Sequence, residues 1–104
     1  MKETPIAERH LTFSEKGKAK RKALVIGIFV PKLVDPASVS FQIAPGTAVC
    51  KVAFDGLPDV ALGDTFGADS IQALQLAADI EPVLKRLSER YDFYFPTGEV
   101  YFDE

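Results

Sequence analysis

The sequence predicts an α+β domain, a two-layer sandwich in which a mostly antiparallel sheet of five to seven strands carries one long helix on one face. Three observations predict it. Alternating or continuous apolar stretches recur between turn residues over 6–66, a single 3.6-period stretch follows at 67–87, and alternation returns at 91–102. The connections are short, which favours antiparallel neighbours, and one helix covers one face of such a sheet. The 104 residues, 47% hydrophobic and 26% charged, are enough for a single domain over 1–104 and exclude a disordered chain.

Each element has a local reason. Residues 6–13 alternate, with Ala7, Arg9, Leu11 and Phe13 on one side and Ile6, Glu8, His10 and Thr12 on the other, the pattern of an outer strand. A polar turn forms around Gly17. Residues 23–30, apolar at nearly every position, read as a central strand covered on both faces. The prolines and aspartate of 31–38 read as a loop. Residues 39–43 alternate as a strand, 44–47 have the Pro-Gly corner of a type II turn, and 48–55 form another strand with Cys50, Val52 and Phe54 on one face. Residues 60–66 read as a weaker strand interrupted at Gly63-Asp64. Residues 91–95 alternate, 96–99 turn, and 100–102 end the pattern.

The helix has a marked start. Gly67 allows a sharp turn, Asp69 is an N-cap, and Gln72 three residues later makes the pair a capping box. At 100° per residue, Ala73, Leu76, Ala77, Ile80, Val83, Leu84 and Leu87 share the core stripe, with Gln72, Asp79 and Arg86 opposite. Ile71, Leu74 and Ala78 fall outside both groups as a second apolar strip, either brought into the core by a bend or contacting another chain. Pro82 either kinks the helix or starts a second one. The second face of strand 23–30 also needs a cover: the 31–38 loop, the C-terminal aromatic segment, or a second copy of the protein. Tyr94 and Tyr101, read as pointing away from Phe93, Phe95 and Phe102, join Ile71, Leu74 and Ala78 as candidate interface residues.

Catalytic chemistry is sparse. His10, the one histidine, shares a strand face with Glu8 and Thr12. Cys50, the one cysteine, excludes an internal disulfide and a cysteine-based zinc site, and reads as a small buried apolar residue. Asp55, Asp59, Asp64 and Asp69 have no EF-hand spacing and fit turns and a cap. No phosphate loop, dinucleotide fingerprint, serine elbow or metalloprotease motif occurs. No catalytic residue, metal site or cofactor is assigned. The longest apolar run, residues 23–31, is far shorter than a membrane span, and the N-terminus has no apolar run of signal-peptide length. A cytoplasmic protein without membrane contact is expected. Charge is uneven: residues 1–51 carry nine Lys/Arg against four Asp/Glu, and 52–104 carry three against eleven. The acidic half argues against a broad nucleic-acid surface. The basic cluster at 16–22 reads as a solvated hairpin loop that is also able to touch phosphate.

The segments at 6–13, 50–58 and 66–77 together resemble a widespread family of small bacterial proteins of unknown function. The shared motif is Gly-x-Asp-Ser/Ala-x-Gln-Ala-Leu-Gln-Leu-Ala, found here from Gly67 to Ala77. The resemblance covers nearly the full chain, departs at Pro82, and implies an α+β domain and a bacterial source but no activity. Residues 54–77 are also locally similar to HicB-type antitoxins, which bind a small toxin.

The sequence thus points to a non-enzymatic interaction module that self-associates as a homodimer. The alternatives are an antitoxin- or immunity-like protein masking a partner protein, and a small-ligand binder using the helix–sheet groove.

Overall fold

The computed structural model of the chain describes residues 4–35, 37, 44–58 and 63–102. They form β1 (Ala7–Glu15), β2 (Lys22–Ile28), β3 (Lys32–Leu33), β4 (Ala48–Asp55), β5 (Gly63–Gly67), α1 (Ser70–Ala78), α2 (Glu81–Leu87) and β6 (Tyr91–Tyr94). The class is α+β, and every strand pairing is antiparallel. The strand expected over 39–43 and the first part of that expected over 60–66 lie outside the described residues. The described part of the latter, β5, begins at Gly63 and runs through the Gly63-Asp64 pair read as an interruption.

Val52 faces Ile28 of β2 on one side and Gly63 of β5 on the other, so β2 and β5 flank β4. Ala48 likewise faces Leu33 and Gly67, which puts β3 on the β2 side. The order across the sheet is therefore β5, β4, β2 continued by β3, β1, β6. Between Ile28↔Val52 and Lys32↔Val49, one side advances four residues and the other three. This is a β-bulge, and Pro31, which has no N–H to donate, sits inside it. Lys32–Leu33 are thus a strand inside the 31–38 stretch expected as a loop. β2 is central, as its continuous apolar run required.

The core lies on one face. Leu11, Phe13, Leu24, Ile26, Ile28, Ala48, Cys50, Val52, Phe54, Tyr91 and Phe93 meet Ala73, Ala77, Ile80 and Leu84 from the helices. The helix is split at Pro82, not merely kinked. Ile80 N–H donates to the Ala78 carbonyl at 2.9 Å, with Asp79 between them at φ −81° and ψ 73°. This is an inverse γ-turn. It satisfies the carbonyl that Pro82 cannot reach, and Pro82 takes its place in the first turn of α2.

The core stripe is corrected too. Ala73 and Ala77 are buried as expected, but Leu76 is 51% exposed, while Leu74, read as outside the stripe, packs against the core. Beyond the break Ile80, Val83, Leu84 and Leu87 stay on the core side as expected, and the difference lies within α1, whose buried side is centred nearer Leu74 than Leu76.

On the second face, Gly27 is buried against Pro5. A Cβ at Gly27 would stand 3.3 Å from Pro5 Cβ and 3.9 Å from the Phe29 ring. Ile6 N–H, next to Pro5, donates to the Ile28 carbonyl at 2.7 Å. The N-terminal segment and Phe29 therefore cover β2 at this point, a cover absent from the three candidates the sequence suggested.

Candidate functional site

Three places hold what the sequence singled out. The first is the β5–α1 side of the molecule. β5 is an edge strand, and among the described residues it pairs only with β4. It ends at Gly67, where a Cβ would stand 2.3 Å from the Ala73 backbone nitrogen, so only glycine lets the helix lie this close to the strand. Asp69 Oδ1 accepts from Gln72 N–H at 2.8 Å. Gln72 Oε1 accepts from Ala68 N–H at 2.6 Å, one residue earlier than a standard capping box. Gly67, Asp69 and Gln72 are thus helix-start residues with structural roles. Beyond them, Ile71 is 67% exposed, and Phe66 on β5 is 42% exposed.

The second place is a groove of about 210 Å³ between the sheet and the helix break, lined by Ala7, Glu8, Arg9, Ile26, Ile28, Ala78 and Ile80. Arg9 guards it but is engaged: Nη1 donates to Glu81 Oε1 at 3.1 Å and to Tyr101 Oη at 2.7 Å. Tyr101 Oη in turn donates to Glu81 Oε1. Burial and the Glu81 bond push the Tyr101 phenol above its ordinary range, against the opposing pull of Arg9. Tyr101 is therefore a held proton donor, and the three residues tie the C-terminal segment to α2 and β1. They offer no free base or nucleophile.

The five candidate interface residues do not form one patch. Ile71 is at the start of α1, Leu74 leans into the core, and Ala78 lines the groove. Tyr94 faces Thr12 on the second sheet face, with the Arg21 guanidinium 3.6 Å from its ring centroid. Tyr101 is on the α2 side, not opposite Phe95 and Phe102, whose rings it meets at 4.9 and 5.0 Å. Period-two reasoning failed there because, among the described residues, a single bridge, Tyr94↔Val100, and no strand follows Gly98.

The third place is the basic hairpin between β1 and β2, whose cations point to different sites. Lys16 Nζ donates to the Ser88 carbonyl at 2.8 Å and pairs with Asp92 at 3.4 Å, and Arg21 covers Tyr94. Lys18, Lys20 and Lys22 instead line a cleft of about 280 Å³ with Phe13, Ser14, Glu15, Pro58 and Tyr91.

His10 and Cys50 sit on opposite faces. His10 Nε2 is 3.8 Å from Glu8 Oε1 on the second face. Cys50 is buried in the core, where its thiol donates to the Phe29 carbonyl at 3.1 Å and burial pushes its pKa up. Among the described residues no three of His, Cys, Asp and Glu gather to hold a metal, and no helix is long and apolar enough to cross a membrane.

Among the described residues, the fold and these places define an α+β domain whose edge strand β5 pairs only with β4, with no assembled catalytic group. In comparison with known proteins, no family model, no curated protein and no solved structure matches the chain.

Proposed function

We propose that the protein is a non-enzymatic interaction module that pairs with a second copy of itself through the side formed by β5 and α1. One observation carries this reading: Ile71 and Leu76 are large apolar side chains of one short helix, both more than half exposed, and that helix packs on β5, which among the described residues pairs only with β4. Burying an apolar side chain of this size contributes about 1.5–3 kcal/mol. Unpaired strand edges are sites where a second chain adds on, and a twofold pairing uses the same patch on both partners.

The test is the mass in solution. Sedimentation of the wild type should give twice the 11.4 kDa of one chain. The double variant Ile71→Asp, Leu76→Asp should sediment as a folded monomer, since neither side chain belongs to the buried core. A monomeric wild type at about 100 μM, or a double variant that still dimerises, rejects the reading.

A further inference from the structure

We propose that the cleft bounded by Lys18, Lys20 and Lys22 binds a small molecule bearing a phosphate group. The hairpin divides its cations by position. Lys16 is neutralised by Asp92, and Arg21 lies over Tyr94. The alternate residues 18, 20 and 22 converge on the cleft, and no described carboxylate forms an ion pair with any of them.

Like charges held near one another repel, so three lysines lining one cleft favour an anion there. Glu15 also lines the cleft. Among the described lining residues, three lysines and one carboxylate leave a net charge of +2, which matches a phosphate monoester, about −1.5 to −2 at neutral pH. A single carboxylate ligand would neutralise half of it. The remaining wall, Phe13, Tyr91 and Pro58, is apolar and suits the organic body of an ester.

The probes are phenyl phosphate, inorganic phosphate and phenol, titrated into the full chain while backbone amide resonances are followed. Phenyl phosphate should saturate and shift residues 13–22 and Tyr91, more tightly at pH 7 than at pH 5, where the phosphate has lost a negative charge. Phenol should leave these resonances in place. Tighter binding of phenyl phosphate than of inorganic phosphate assigns the cleft to an ester, and equal binding assigns it to the free ion. The variant Lys20→Gln, Lys22→Gln should lose about tenfold or more in affinity while keeping its thermal midpoint, since both side chains are exposed. No saturation by about 10 mM phenyl phosphate overturns the proposal. So do phenol shifts equal to those of phenyl phosphate, shifts confined to other residues, or a folded double variant with undiminished affinity.

Discussion

Gly67 shows how one missing atom positions a helix. The 2.3 Å approach to Ala73 involves backbone nitrogen, which cannot swing aside. Gly67→Ala should therefore lower stability by about 2 kcal/mol or more, read as a shifted denaturant midpoint. Asp69→Ala, which removes one cap bond, should cost about 1 kcal/mol. Cys50 and Tyr101 make stability depend on alkali. Both hold their proton more tightly in the folded chain, by burial at the thiol, and by burial and the Glu81 bond at the phenol. The unfolded chain therefore releases protons that the folded chain keeps. This contribution is complete below the ordinary values, about 8.5 for cysteine and about 10 for tyrosine, and is lost as pH rises through the raised ones. Thermal midpoints should fall above about pH 8.5. Tyr101→Phe should flatten the upper part of that fall, and an unchanged slope counts against the assignment.

At the scale of elements, Pro82 separates two accounts of the helical region. In the interior of a continuous helix it would destabilise by about 3 kcal/mol, and Pro82→Ala would raise both stability and helical signal. In the first turn of α2 it restricts the unfolded chain instead. Pro82→Ala should then lower stability by about 0.5–1 kcal/mol and leave the circular dichroism unchanged. β1, β2, β4 and β6 were legible in the sequence because each alternates or is wholly apolar between turn residues, and the Pro45-Gly46 turn because Gly46 takes φ +90°. β3 was not legible: two residues become a strand only because Ala48 and Val49 stand across the bulge. The choice between Leu74 and Leu76 depended on the rotation of α1 before the γ-turn, which no wheel contains. The lysine cleft left a trace in the alternate spacing of 18, 20 and 22. Its wall comes from β1, the turn after β4, and β6, three segments that meet only in the fold.

At the scale of the whole molecule, the described fold places its two edge strands, β5 and β6, at opposite ends of the sheet, with the helices between them in sequence. One edge is partly closed: Tyr101 N–H donates to the Phe93 carbonyl of β6 at 2.9 Å. Among the described residues β5 pairs only with β4, so the proposed pairing is on the β5 side, and Tyr101→Ala should not change the sedimenting mass. The pairing of β1 with β6 also sets an order of events during synthesis. β1 pairs with β2 across a short hairpin, but on its other side Thr12 meets Tyr94, eighty-two positions along the chain. The outer side of β1 therefore stays bare until the chain has been made past residue 94, a long-range closure of the kind that slows folding and invites wrong partners. A nascent chain stalled before Tyr91 should be sensitive to proteases and held by chaperones, and one extended past Tyr101 should be released from both.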